Sequence, residues 1–161
     1  MDRYKIIDNV GVYFITFTVV DWLPVFVDES PNSILIDSLK YCIDNKGLRV
    51  NAYVIMPNHL HAVVFNTEFD STALHQALTD FRKFTGQALT GYVNTRFWQS
   101  GWHAEGIESE RFLEQKVNYI HDNPCRKGLV RLPQDWRYSS AAFWMDGESV
   151  DLPIASLDWE N

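Results

Sequence analysis

The chain has few cysteines and no long apolar run. Of its 161 residues two are cysteines, Cys42 and Cys125, which are too few and too far apart for a disulfide framework or a cysteine-based zinc site. No apolar run approaches the roughly 20 residues that cross a bilayer, and the N-terminus lacks the pattern of a signal peptide. With 46% hydrophobic residues, we expect one packed domain over residues 1–144, in the reducing cytoplasm and not at a membrane.

Positive charge is also scarce. The 14 basic and 21 acidic residues give a net charge of −7, which argues against a general affinity for nucleic acid. The distribution is uneven, because residues 80–137 carry 9 basic and 7 acidic side chains, whereas residues 138–161 carry 5 acidic and no basic ones. A surface for nucleic acid would therefore lie in the middle of the chain, and we expect residues 145–161 to form an acidic, loosely attached tail.

The spacing of apolar residues predicts elements in the order β-α-β-β-α-β, followed by a further helix. The predicted strands are residues 12–20, 50–55 and 59–65 and a segment near the end of 96–107. The predicted helices run from Asn32 or Ser33 to about Asn45, from Asp70 or Ser71 to about Tyr92, and from Ser109 to about His121, before Asn123-Pro124. This order suggests an α+β fold, a ferredoxin-like antiparallel sheet with helices packed on one face and an extra C-terminal helix.

Two histidines alternate along the third predicted strand. His59 and His61 share one face with Val63 and Phe65, while the other face is wholly apolar. The apolar face suits a helix-covered core, so the imidazoles should lie on the opposite face, open to a ligand. Such a pair can hold a divalent metal, although two histidines at this spacing also occur as ordinary strand residues.

The last predicted helix could complete a site at these histidines. Tyr119 and Asn123 lie one turn apart, beside the buried stripe of that helix. A phenol hydroxyl and an amide oxygen could thus reach one ion, and Tyr119 could attack a phosphodiester whose charge the ion neutralises. In the alternative interpretation Tyr119 packs at the edge of the core with its hydroxyl in water, and Asn123 only caps the helix.

Three separated blocks resemble one known family. They are Val54-Ile-Met-Pro-Asn-His-Leu-His-Ala-Val-Val64, Phe97-Trp-Gln-Ser-Gly-Trp-His103 and Tyr119-Ile-His-Asp-Asn-Pro-Cys-Arg-Lys-Gly-Leu129. Together they closely resemble the IS200/IS605-like tyrosine-1 transposases, and within them most resemble the REP-associated branch. The continuation Pro133-Gln-Asp-Trp-Arg-Tyr-Ser-Ser140 is similar to that branch as well. The resemblance covers about residues 10–142.

The resemblance implies a fold, an activity and a set of site residues. The family has the ferredoxin-like fold and cuts single-stranded DNA beside a hairpin through a 5′-phosphotyrosine intermediate, with Mg²⁺ or Mn²⁺, before rejoining it to another end. By position in the matched blocks, the metal ligands of the HUH motif fall on His59 and His61, the nucleophile on Tyr119 and the third metal ligand on Asn123. Members act as monomers or as homodimers, and the sequence does not distinguish the two.

Six basic residues could follow a nucleic-acid backbone, and each is equally well explained as a solvated surface charge. They are Arg82, Lys83, Arg126, Lys127, Arg131 and Arg137. Relatives of this type are usually basic, whereas this chain is acidic. Two other functions therefore stay open. One is a hairpin DNA or RNA binder whose catalysis has lapsed, and the other is a metal-dependent hydrolase of a small phosphodiester in which Tyr119 is structural.

Overall fold

In a computed structural model of the protein, which describes residue 6 and residues 10–159, the strands form a four-stranded sheet. The strands are β1 (Val12–Thr18), β2 (Leu48–Met56), β3 (His59–Asn66) and β4 (His103–Gly106). Their spatial order is β2-β3-β1-β4, and every neighbouring pair is antiparallel. This is the arrangement of the ferredoxin-like β-α-β-β-α-β fold, so the predicted fold class is confirmed.

Helices cover both faces of the sheet. They are α1 (Glu29–Asn45), α2 (Ser71–Ala88), α3 (Glu110–Arg126) and the short α4 (Ala141–Asp146). Alternate residues of β3, such as Leu60 and Val64, join the main core with α1 and α2, while Val63 and Phe65 join a smaller core with α3. The face that carries the histidines, expected to be open, is therefore partly covered. Within the described part of the chain, no helix is both long and apolar enough to cross a membrane.

Three helix boundaries differ from the prediction. Helix α2 ends at Ala88, ahead of the predicted end near Tyr92, and Thr90–Tyr92 form a separate 3-10 turn. Helix α1 begins at Glu29, ahead of the predicted cap, and accommodates Pro31 in its first turn, where a missing backbone N–H is tolerated. The predicted end of α3 before Asn123-Pro124 is wrong, because the helix continues to Arg126 with Pro124 inside it. Asn123 and Pro124 are both buried, so tertiary packing outweighs the local preference against proline.

The C-terminal segment is held against β2 more closely than expected. The Ala155 N–H donates to the carbonyl of Val50, and the Asn51 side chain donates to the carbonyl of Ala155, both at 2.9 Å. Leu152 is buried. These contacts satisfy polar groups on the open side of β2, an edge strand that is bulged between Val50 and Ala52. A loosely attached tail is therefore the wrong description of residues 147–159. Residues 1–5 and 7–9 of the predicted domain and residues 160–161 of the acidic tail lie outside the described residues, and the domain limit at 144 stays a prediction.

We predict that Ser140→Ala destabilises the fold that positions α3. The Ser140 hydroxyl accepts from the Tyr53 N–H at 2.9 Å and lies 2.7 Å from Nε2 of the buried His121 of α3. Without the hydroxyl both buried groups lose a partner, so the free energy of unfolding in urea should fall by about 1–3 kcal/mol. The exposed Ser149 provides the control, since Ser149→Ala should change it by less than about 0.5 kcal/mol. Equal stability of the two variants would contradict this role.

Candidate active site

The histidine pair lies on β3, an inner strand of the sheet. His59 and His61 are 9% and 7% exposed, and their ring centroids are 4.5 Å apart. Two imidazoles that bind one octahedral ion at adjacent positions have centroids about 4.7 Å apart, given a metal–nitrogen distance of about 2.2 Å. The spacing of the rings therefore fits a shared divalent ion.

Each imidazole is held through its Nδ1 atom. Nδ1 of His61 lies 2.8 Å from the hydroxyl of Thr16, and Nδ1 of His59 lies 2.6 Å from the amide oxygen of Asn58. Among the described residues, neither Nε2 atom has a hydrogen-bond partner. This is the usual arrangement of metal-binding histidines, in which the second nitrogen is oriented by an oxygen. Sequence reasoning missed both orienting residues, although Asn58 directly precedes His59.

Burial keeps both imidazoles neutral. Burial first of all, and also the charge of Lys127, lower the pKa of His59 to about 4. The pKa of His61 lies well below its ordinary value, mainly through burial and then through the charges of His59 and Lys116. At neutral pH both rings are therefore in the unprotonated state that binds a metal.

Helix α3 brings Tyr119 to the histidines. The helix begins as predicted, with the Ser109 hydroxyl accepting from the Phe112 N–H. The ring centroid of Tyr119 lies 5.5 Å from that of His61 and 6.0 Å from that of Phe14, and the residue is 41% exposed. The structure thus places the strand imidazole and the distant phenol beside one another.

Asn123 lies inside α3, one turn beyond Tyr119. It is 2% exposed, and its carbonyl accepts from the Lys127 N–H, so it is not the helix cap of the alternative interpretation. Its side chain has no hydrogen bond within the described structure. No group of three or more His, Cys, Asp or Glu side chains in the described ranges could hold a metal. An ion at the histidines would therefore need other oxygen ligands, such as this amide, water or substrate.

Two cations lie against the phenol ring. The guanidinium carbon of Arg126 is 4.2 Å from the Tyr119 ring centroid. The Lys116 ammonium is 5.8 Å from that centroid and forms an ion pair with Glu105 at 3.1 Å. Lys116 and Glu105 were not predicted, although Lys116 lies three residues before Tyr119 on the same helix. Arg126 also lies 3.6 Å from Asp122, so each of the two cations at the tyrosine is paired with a carboxylate.

An open cleft of about 770 Å³, which we call the Tyr119 cleft, lies beside part of this site, and His59, Asn123 and Arg126 do not line it. Its wall includes His61, Lys116 and Tyr119, together with Thr16 from β1 and the loop before β4. The cleft therefore presents an imidazole, a phenol and an ammonium group to one volume of solvent.

The structure separates the six basic residues proposed for nucleic-acid contact. The Arg126 guanidinium lies against the ring of Tyr119, and Lys127 is close enough for its charge to lower the pKa of His59. Arg131 is exposed beyond α3, and Arg137 pairs with Asp151 at 3.6 Å. Arg82 and Lys83 belong to α2, which packs on the other face of the sheet.

The chain has sequence relatives over most of its length, although no protein-family model matches it. It is 24% identical over 159 residues to a Haemophilus influenzae protein provisionally named a REP-associated tyrosine transposase, an alignment that covers 92% of this chain and 87% of that protein. It is 28% identical over 116 residues to the REP-associated tyrosine transposase of Escherichia coli K12, which covers 71% of this chain and 64% of that protein.

The fold is shared with a solved structure of a REP-associated tyrosine transposase bound to a REP hairpin. The two agree with a TM-score of 0.75 over 99% of this chain and 95% of that one, at 19% identity. At that identity the agreement shows the fold alone. Together with the sequence relatives, it confirms the predicted resemblance of this chain to the REP-associated branch of the tyrosine transposases.

Proposed function

We propose that the protein is a metal-dependent endonuclease and strand transferase for single-stranded DNA, acting through a 5′-phosphotyrosine at hairpin-flanked sites. The observation that carries this proposal is the contact of the Tyr119 ring with His61 at an open cleft. The names of the sequence relatives support a transposase-like role in DNA processing. The related fold that is bound to a REP hairpin supports hairpin DNA as the substrate.

The proposed reaction is an exchange of one phosphate ester for another. The phenol oxygen of Tyr119 forms a bond to the scissile phosphorus, and the bond from phosphorus to the 3′ oxygen breaks. The phenol proton is released to solvent, and the departing oxygen takes up a proton to become a 3′-hydroxyl. Attack by the 3′-hydroxyl of another strand on the phosphotyrosine reverses these changes and regenerates the tyrosine. Because the ester bond is conserved, rejoining needs no nucleotide cofactor.

The donor set fits Mg²⁺ or Mn²⁺. His59 and His61 would bind through Nε2 and Asn123 through its amide oxygen, which leaves positions for phosphate oxygens and water. When bound, the ion would offset phosphate charge as the new bond forms. Lys116 and Arg126 add positive charge beside Tyr119 and would orient the phosphodiester for attack.

We further propose that the site works within a single chain. Tyr119 and His61 of the same molecule are in contact, so no second copy is required to deliver the nucleophile.

We also propose that the protein acts in the cytoplasm, because a chromosomal DNA substrate would lie there.

Replacing Tyr119 with Phe should abolish covalent attachment to DNA. The variant keeps the ring that packs on His61 and Phe14 but lacks the attacking oxygen, so adduct formation with labelled hairpin-flanked single strands and Mn²⁺ should fall at least about 1,000-fold on denaturing gels. The exposed Tyr41 of α1 serves as the control, and Tyr41→Phe should form normal amounts of adduct.

Persistent adduct in Tyr119→Phe would refute the assignment. DNA binding by the wild-type protein without Mn²⁺-dependent nicking would favour the lapsed binding module. Turnover of a small phosphodiester that survives in Tyr119→Phe would favour the hydrolase.

Removing a proposed ligand should weaken metal binding. His59→Ala or His61→Ala should lower Mn²⁺ affinity, measured by calorimetry, by about 100-fold, and Asn123→Ala by about tenfold. His75 of α2 is exposed and provides the matched histidine control, so His75→Ala should bind as the wild type does. Unchanged affinity in both strand variants would rule out the proposed site.

Metal binding should be nearly independent of pH in mild acid. Because the pKa of His59 is lowered to about 4 and that of His61 well below 6.5, Mn²⁺ affinity should change less than about twofold between pH 7.5 and 5.5. Two ordinary imidazoles would lose about 100-fold over this range through proton competition, and such a loss would contradict the burial argument.

Circular dichroism at each pH shows whether a change in Mn²⁺ affinity comes from unfolding. A histidine whose pKa is lower in the folded state than in the unfolded chain stabilises the folded state fully above about pH 6.5, where the imidazole is neutral in both states. Below that pH the unfolded chain binds protons first, so the free energy of unfolding falls until about pH 4. The pKa of the buried His121, also lowered to about 4 by burial, adds to this loss.

A further inference from the structure

Three basic residues line a small pocket near the Tyr119 cleft. Arg82 and Lys83 come from α2, and Arg96 comes from the segment that leads to β4. The pocket measures about 240 Å³, and its lining also includes Gly86 and the buried Trp98. We call it the basic pocket.

The basic pocket carries more positive than negative charge. Asp80 lies close enough for its pKa to be lowered by Lys46 and also by Lys83, and it forms an ion pair with Lys46 at 2.6 Å. Among the residues that the structure describes, no carboxylate lines the pocket, and the side chains of Lys83 and Arg96 form no hydrogen bond or ion pair. Lys116 and Arg137, by contrast, each lie within 3.6 Å of a carboxylate. In a chain with a net charge of −7, three cations that line one pocket with no carboxylate among them favour an anionic ligand.

The hydrogen-bond donors of the Arg82 guanidinium are only partly satisfied. It is half-buried, and its Nη2 donates to the carbonyl of Gln99 at 3.0 Å. Its buried Nε has no hydrogen-bond partner in the described part of the chain. Burial lowers the pKa of Arg82, and the charge of Arg96 lowers it further, which means that the two guanidiniums repel one another. An anion between them would relieve this repulsion.

The basic pocket and the Tyr119 cleft are lined by consecutive residues of the chain. Trp98 lines the pocket, and the next residue, Gln99, lines the cleft. The Gln99 N–H donates to the carbonyl of Thr18 at 2.8 Å, and Thr18 also lines the cleft. A strand that leaves the cleft across Gln99 would pass Arg82 of the basic pocket, whose Nη2 donates to the carbonyl of Gln99.

We propose that the basic pocket binds a backbone phosphate of the single strand that flanks the phosphodiester held in the Tyr119 cleft. The inference rests on the proposed function. Its ligand is a single strand because the cleft lies on the α3 face of the sheet and the pocket beside α2, on the other face. A flexible strand can bend around the sheet edge between them, whereas a stiff duplex cannot.

The test measures binding of a fluorescent 20-nucleotide oligothymidine by anisotropy at several salt concentrations, in the Tyr119→Phe background. Lys83→Gln and Arg96→Gln should each lower affinity about three- to tenfold at 0.1 M salt. Each should also reduce the slope of log affinity against log salt by about 0.7, the value for one phosphate contact with a single strand. Arg82 is not substituted, because it also holds the carbonyl of Gln99. Lys40→Gln on the exposed side of α1 removes the same charge and should leave affinity and slope unchanged.

Two hairpin probes identify the source of the phosphate. The affinity loss should occur with a hairpin that carries a ten-nucleotide single-stranded extension and not with the same hairpin made blunt. Equal losses on both would assign the phosphate to the stem and overturn the proposal. Wild-type affinity in the double variant Lys83→Gln/Arg96→Gln, or failure of the parent protein to bind oligothymidine, would overturn it as well.

Adduct formation, measured with Tyr119 intact, separates this proposal from the nuclease proposal. Normal adduct together with unchanged affinity in the pocket variants would refute the pocket alone. Absence of adduct in the wild-type protein, with affinity lost as expected in the pocket variants, would refute the nuclease and leave the pocket standing.

Discussion

The packing of α3 against the sheet is the interaction on which the site depends. Leu113 and Ile120 of the helix join Val63 and Phe65 of β3 in the smaller core. Because the helix is anchored on this face, Tyr119 is delivered to the ring of His61. The bond between His121 and Ser140 ties the far side of α3 to the segment beside β2. A shift of one helical position would point the phenol away from the imidazoles, since successive residues are separated by about 100°.

Burial and charge act together at this face. The strand histidines stay neutral because they are removed from water, and their Nδ1 atoms are held by Thr16 and Asn58. Lys116 and Arg126 of α3 lie beside the ring of Tyr119, and each is paired with a carboxylate. A chain that is acidic overall can still present the basic pocket to a phosphate backbone, since the field at short range is set by the nearest charges.

Local patterns were sufficient for most of the elements. Alternation located the hairpin of β2 and β3, and the Ser109 cap located the start of α3. The errors fell where packing outweighed local preference. Pro124 lies inside α3 because its surroundings bury it, and residues 147–159 pack on β2 because an edge strand has open peptide groups. No local sequence pattern predicts either contact, since each joins residues that are far apart in the chain.

Sequence alone determined which reactive groups the chain carries: paired imidazoles on one strand face, and a phenol and an amide one helical turn apart. It also contained the blocks that resemble the tyrosine transposases. These follow from residue type and from the periods of strands and helices. Tertiary structure decided which groups meet. It placed Lys116, Glu105 and Thr16 at the cleft, removed Arg82 and Lys83 to a separate pocket with Arg96, and lowered the pKa of the histidines. Distance and burial are properties of the folded chain, so no local pattern encodes them.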